Sequence, residues 1–309
     1  MIIYEKIPEL KNTAVALGCF EGVHLGHQQV IKGAIGGKAD SLNSVILSFS
    51  DDIPYKKDRR HIITFEDKCR IFSDMGADSL IIPTFSSICE YSPEGFFEEI
   101  LVGRLDAKLI SCGENYHFGK HAAGDTNMLK KLCEKHNIEC KVVLPVMLNG
   151  EIISSSRIRR ELGNGDMQLS AKMLGRLFSY DFEVVGGRHL GRTLGTPTIN
   201  QYFPENFVIP MYGVYASVTE IDGRRYHSVT NIGVKPTVGS DKPLSETWIP
   251  EFSGDLYGRR IRVNLVQYMR GEQKFASVEE LKQAIIQDGV NSKSLTVDYL
   301  GEEANKHGF

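Results

Sequence analysis

The chain has 309 residues, and its 36 Lys and Arg against 39 Asp and Glu leave a formal net charge of −3, which excludes the broad basic surface that duplex nucleic acid requires. Hydrophobic residues make up 41% and charged residues 24%, a balance typical of folded domains rather than disorder. No apolar run approaches the roughly 20 residues that span a bilayer, and at about 150 residues per domain the length suits two domains.

Short apolar runs bounded by turn residues are expected strands at 14–20 (AVALGCF), 44–50 (SVILSFS), 79–85 (SLIIPTF), 107–112 (AKLISC) and 140–146 (CKVVLPV). Helices are expected between them. Thr64 with Asp67 resembles a capping box and Gly76 ends that helix; Ser92-Pro93 opens the next, with Pro at the first helical position; GDTNMLKKLCEKHN supplies a third. Strand alternating with helix over about 150 residues predicts an open, mostly parallel α/β sheet. Two further helical pieces surround SSSRIRREL and MQLSAKMLG.

Beyond about residue 180 the alternation stops. VYASVTEIDGRRYHSVTNIG reads as a hairpin turning at Asp222-Gly223, and RIRVNLVQYM reads as another strand. Such spacing predicts a small antiparallel barrel or sandwich. One amphipathic helix, SVEELKQAIIQDG, opens with a Ser277/Glu280 capping box, and the polar tail from about Asn291 is expected to fray. The expected domains are therefore 1–180 and 181–309. The start, MIIYEKIPEL, lacks a signal-peptide pattern, so a cytoplasmic protein is expected. Cys19, Cys69, Cys89, Cys112, Cys133 and Cys140 form no C-x-x-C pair and are expected to be reduced, mostly buried thiols.

Two groups of residues carry chemistry. GCFEGVHLGHQQVI runs off the first strand into a helix, with His24 and His27 three apart on one face and Gly18, Gly22 and Gly26 allowing close backbone approach. A helix N-terminus with two imidazoles suits a polyphosphate and can stabilise charge as it builds during displacement. The alternative is a strand–helix turn with two incidental histidines. ISSSRIR places Ser154, Ser155 and Ser156 before Arg157 at a helix start, again an anion site or simply capping chemistry. In GENYHFG, after another strand, Asn115 is the polar group best suited to read a nucleotide.

In the second half, GRTLGTPTIN holds Gly191, Arg192, Gly195 and Pro197 ahead of Thr198 and Asn200, which project to one side of an extended segment. Their hard oxygens suit Mg²⁺, although for an isolated P-T-x-N the preferred reading is a β-turn with a satisfied Thr/Asn pair. Glu246, just before Trp248, could accept a proton from an alcohol during phosphoryl transfer, or be a solvated surface charge.

In series these motifs resemble the bacterial bifunctional riboflavin kinase/FAD synthetase family. GCFEGVHLGH is similar to its G-x-F-D-G-V-H-x-G-H, ISSSRIR to I-S-S-T-R-I-R, and GENYHFG to G-x-[DN]-[FY]-x-F-G. GRTLGTPTIN, NIGVKPT, ETWI and GDLYG follow in family order, with RGEQKF after them. The resemblance implies a Rossmann-like α/β nucleotidyltransferase domain followed by a mainly antiparallel β-barrel with a C-terminal helix. It implies phosphorylation of riboflavin to FMN at 181–309, then adenylylation of FMN to FAD with release of pyrophosphate at 1–180, using ATP and Mg²⁺. His24, His27 and Arg157 would stabilise charge, with Gly18, Phe20, Glu21, Gly22, Gly26, Asn115 and Ser154–Ser156 around ATP. Thr198 and Asn200 would hold Mg²⁺ and phosphates, Glu246 would be the general base, and Asn231 with Gly191, Arg192, Gly195 and Pro197 would shape the kinase pockets. Riboflavin, FMN and ATP are then the partners, without nucleic acid or membrane. Departures are Glu21 for Asp, Ser156 for Thr, Thr196 for Phe, and SFSDDIP at 48–54 where the family shows F-[DE]-P-H-P. The last leaves open a kinase with a weak or inactive adenylyltransferase domain, and leaves undivided whether Asp51 or Asp52 replaces the lost acid. A non-catalytic flavin-binding protein on the same scaffold is the alternative from another class.

Overall fold

The computed structural model describes residues 1–49, 60–186, 195–234 and 242–300. The chain forms two compact units, Met1–Asp58 with Phe65–Ser154, and Arg59–Thr64 with Ser155–Phe309.

In the first unit, strands β1 (Ile2–Tyr4), β2 (Thr13–Leu17), β3 (Asn43–Leu47), β4 (Ser79–Ile81), β5 (Ala107–Gly113) and β6 (Glu139–Val143) form one sheet in the order β1-β4-β3-β2-β5-β6, every pairing parallel. A parallel sheet is covered on both faces, so its strands read as unbroken apolar runs. All of β2 and the last four residues of β3 are buried. Edge strand β1 is not among the expected runs; its three residues, two of them exposed, are too few to show a period.

Helices α1 (Leu25–Ile35), α2 (Phe65–Asp74), α3 (Pro93–Gly95, continuing as a π-type helix over Phe96–Arg104) and α4 (Thr126–Lys135) lie between the strands. The expected start of α3 holds: Ser92 Oγ accepts from the Gly95 N–H at 3.0 Å and Pro93 takes the first position. Phe96, Phe97, Ile100 and Leu101 of α3 pack with Val15, Leu17, Val45, Leu47 and Ile110 of the sheet in one core.

The order matters for function. The chain steps from β2 outward through β3 to β4, then crosses back to lay β5 on the other side of β2. The carboxyl ends of β2 and β5 therefore flank the point where strand order reverses, where open α/β sheets leave a crevice. A two-stranded hairpin, β7 (Met147–Leu148) with β8 (Glu151–Ile152), ends this unit.

The second unit begins with α5 (Ser155–Gly163) and α6 (Met167–Leu174). Strands β9 (Phe178–Glu183), β10 (Thr198–Tyr202), β11 (Gly213–Ile221), β12 (Arg224–Val234), β13 (Pro243–Trp248) and β14 (Arg260–Arg270) form an antiparallel sheet in the order β10-β13-β12-β11-β14-β9. The β11–β12 hairpin turns at Asp222 (φ 51°) and Gly223 (φ 76°), with Ile221 opposite Arg224, the left-handed pair that Asp-Gly favours. The sheet curls so that its edges meet. Val185 N donates to Asn200 O at 2.9 Å, and Gln201 Nε2 on β10 reaches the carbonyls of Phe182 (2.6 Å) on β9 and Ile261 (2.8 Å) on β14. Inside, hydroxyls of Ser217, Ser228, Thr230 and Thr247 link one another at 2.8–2.9 Å, beside a cluster of Tyr180, Phe182, Phe203 and Phe207.

Helix α7 (Val278–Thr296) covers the opposite face. The Ser277 cap is present, with the Glu280 N–H donating to Ser277 Oγ at 3.1 Å and Glu280 Oε2 accepting from the Ala276 N–H at 3.0 Å. The helix does not fray at Asn291 but continues to Thr296. Ser292 and Thr296 are fully buried, and Ser292 Oγ donates to the Ser228 carbonyl at 2.6 Å, so small polar residues here dock on the sheet rather than face water. All six cysteines are free, but only Cys112 and Cys133 are fully buried; the other four are half-buried.

Candidate active sites

The turn after β2 is built for close approach. Phe20 (φ 49°) and Gly22 (φ 76°) both have left-handed backbones, and the strain at Phe20 is held by burial of its ring, edge-on to His27 at 5.6 Å and to Phe72 at 6.1 Å. Glu21 and Gly22 lie in a short 3-10 turn, and His24 takes the N-cap of α1. Its Nδ1 accepts the His27 N–H at 3.4 Å, so in the neutral ring Nε2 carries the hydrogen. The two imidazoles stack with centroids 3.6 Å apart and planes 20° from parallel. Gly26 makes this possible, since a Cβ there would sit 3.2 Å from the His24 ring. Gly18, His24 and His27 are thus brought together at the carboxyl end of β2, at the reversal of strand order.

Asn115 is exposed in the turn after β5, the other strand at that reversal; Tyr116 N donates to Gly113 O at 3.0 Å and Tyr116 stacks on Phe118. Ser154 ends the first unit, and Ser155, Ser156 and Arg157 open α5 of the second. Arg157 is buried one helical turn before Glu161, whose carboxyl is held below its usual range by its hydrogen bond to Arg160, with Asn164 and Arg157 adding to it against burial.

One residue at the first site has no sequence expectation. Lys68 on α2 is buried, and its ammonium donates to the Cys19 carbonyl at 2.8 Å and to Ser48 Oγ at 3.0 Å. The signal was available, because Lys68 falls in the same helical stripe as the buried Ile71 and Phe72. Of the divergent segment 48–54, Ser48 and Phe49 are described; Asp51 and Asp52 lie outside the described residues.

In the second unit the register assembles what the sequence separates. Asn200 on β10 stands opposite Glu246 on β13, and Glu246 stands opposite Asn231 on β12. Directly paired residues share a face with Cβ atoms about 4.5–5.5 Å apart, so the three polar side chains form one row across three strands. The next row is Thr198, Trp248 and Val229. Asn200 is buried, while Thr198, Asn231 and Glu246 are half-buried. Trp248 lies against α7, where a Cβ on Gly289 would meet its ring at 2.6 Å. A Cβ on Gly233 would collide with the Glu272 carboxylate, which places a second acid over this face, one row beyond Asn231. Glu272 belongs to RGEQKF, which carried no role in the sequence reading. Gly195 (φ 75°) and Pro197 precede β10, whereas Gly191 and Arg192 lie outside the described residues.

A hydroxyl, an amide oxygen and a nearby carboxylate on one face are hard donors that fit a magnesium ion keeping its own waters and phosphate contacts. Among the described residues no cluster of His, Cys, Asp and Glu offers a different metal site.

Comparison with known proteins matches two family models to the chain in sequence order. A family model described as FAD synthetase matches residues 6–157, and one described as riboflavin kinase matches residues 174–296. The bifunctional riboflavin kinase/FMN adenylyltransferase of Buchnera aphidicola subsp. Acyrthosiphon pisum is 32% identical, covering 90% of this chain and 91% of that protein. The proteins of the same name from Haemophilus influenzae (32%, covering 92% and 94%) and Bacillus subtilis (31%, covering 91% and 91%) are similarly related. A crystal structure titled macrolide-efflux protein from Streptococcus pneumoniae superposes with a TM-score of 0.85 at 27% identity, covering 94% of this chain and 98% of that one. Among the described residues no helix is long and apolar enough to cross a membrane. With both family models matched in order and relatives about a third identical along nine-tenths of its length, the chain belongs to the bifunctional riboflavin kinase/FMN adenylyltransferase family.

Proposed function

We propose that this chain transfers the γ-phosphoryl group of ATP to the 5′-hydroxyl of riboflavin, giving FMN and ADP, and then transfers AMP from a second ATP to FMN, giving FAD and pyrophosphate. The observation that carries the reading is the match of both family models in order, FAD synthetase over 6–157 and riboflavin kinase over 174–296. The kinase step is assigned to 181–309 and the adenylyltransferase step to 1–180, the latter with the Ser155–Arg157 start of α5 as part of its motif. The strand order of the first unit, with the His24–His27 turn at its reversal, supports a Rossmann-like nucleotidyltransferase reading.

At the kinase site Glu246 takes the proton of the attacking hydroxyl, in a row where the register sets Asn200 on one side of it and Asn231 on the other. Thr198 and Asn200 would hold Mg²⁺, which when bound neutralises phosphate charge. Trp248, in the next row, packs against α7 at Gly289. At the other site the FMN phosphate attacks the α-phosphorus in line. His24, His27 and Arg157 offset the charge that builds there, and positioning rather than a covalent intermediate supplies the rate. Both family models match, so a kinase-only reading is not favoured.

Incubating the full chain with riboflavin, ATP and Mg²⁺ and separating flavins by chromatography tests the reading. FMN followed by FAD is expected; FMN alone after prolonged incubation with pyrophosphatase would remove the second activity.

A further inference from the structure

A buried ammonium is costly unless it is paired, and a methionine or leucine would fill an apolar helical stripe without that cost. Packing alone therefore does not call for Lys68. Its Nζ meets two acceptors, the Cys19 carbonyl at 2.8 Å and Ser48 Oγ at 3.0 Å, and Ser48 Oγ itself donates to the Cys19 carbonyl at 3.1 Å. This knot ties α2 to the carboxyl ends of β2 and β3. Both side chains converge on the one peptide that links Cys19 to Phe20, at the start of the histidine turn.

The direction of that peptide has a consequence. Every peptide in the described chain is trans, and in a trans peptide the N–H points opposite to the carbonyl. Holding the Cys19 carbonyl toward Lys68 sends the Phe20 N–H the other way. Phe20 is also the residue whose left-handed backbone leads into the Glu21–Val23 turn and the N-terminus of α1.

We infer that Lys68 is a positioning residue for adenylylation: through the Cys19 carbonyl it aims the Phe20 N–H at the polyphosphate of ATP, and its charge reinforces that anion site from behind. The inference rests on the adenylyltransferase reading and adds to it a residue that none of the sequence motifs contains.

Kinetics of the full chain with Lys68→Met test it. The KM for ATP in FAD formation should rise about tenfold or more, and product inhibition by pyrophosphate should weaken by the same factor, because a charge-assisted contact to the cradle is gone. The KM for FMN and the rate of riboflavin phosphorylation should stay within about twofold. Lys68→Arg, which keeps charge and donors, should bring the ATP KM back to within about threefold of the parent. A lower kcat with unchanged KM for ATP is what mere loss of folded enzyme gives, and it overturns the inference, as does full ATP affinity in Lys68→Met. If Lys68→Met does not fold, Ser48→Ala deletes one acceptor and spares the charge; a rise of about threefold in the ATP KM supports the inference and no change refutes it. A parent chain that makes no FAD from FMN would instead remove the adenylyltransferase reading itself.

Discussion

Glu246 and Asn200 stand directly opposite each other on β13 and β10, although they lie 46 positions apart in the chain. Asn231 meets Glu246 from the other side. Residues paired directly across neighbouring strands share a face of the sheet, so the carboxylate stands in one row between two amides.

Replacing Glu246 with Gln keeps size and strand pairing and removes the acceptor. Riboflavin phosphorylation should fall roughly 10²–10⁴-fold. FAD formation from supplied FMN should persist at the parental rate. Equal loss of both activities would show that the two constellations are not independent.

His27→Ala should act in the opposite sense. It removes one stacked imidazole and the edge contact to Phe20, and FAD formation should drop roughly 10²–10³-fold while phosphorylation continues. Steady-state assays of each half-reaction on the same preparation separate the two.

Gly26→Ala is a finer probe. Alanine favours helix, so stability should hold or rise slightly, yet its Cβ would press on the His24 ring at 3.2 Å. Displacing that ring should slow adenylylation about tenfold, read as a lower kcat with an unchanged melting temperature. Parental kcat would mean that the ring gives way without consequence.

Gln201 on edge strand β10 reaches the other edge of the curled sheet, and Gln201→Leu leaves the Phe182 and Ile261 carbonyls without that donor. A loss of about 1–3 kcal/mol is expected in denaturant unfolding of the second unit. No change in the unfolding midpoint would mean that the Val185–Asn200 link alone holds the edges.

Burial holds the His227 imidazole below its ordinary pKa; Glu251, 3.8 Å away, pulls upward and Lys293 adds to the depression. The folded chain then binds fewer protons here than the unfolded one, so this contribution is full above the ordinary histidine pKa and is lost as pH falls through it. Melting temperature should decline from pH 7.5 to pH 5.5, and His227→Asn should flatten that decline. An unchanged slope would locate the acid sensitivity elsewhere.

Much was legible in one dimension. Apolar runs marked β2, β3 and β5, Ser92 and Ser277 marked helix starts, and Asp222-Gly223 marked the hairpin, because turn chemistry and burial period act within a few residues. The resemblance of the motifs to a known family, rather than any local pattern, named His24, His27, Thr198 and Glu246 as candidates. Only tertiary structure decided the reversal of strand order at β2, the row through Asn200, Glu246 and Asn231, the burial of Lys68 under the histidine turn, and the extension of α7 to Thr296. Each depends on which segments far apart in the chain pack together. That choice is made by the summed burial of both partners and the pairing of their polar groups, and no local stretch carries it alone.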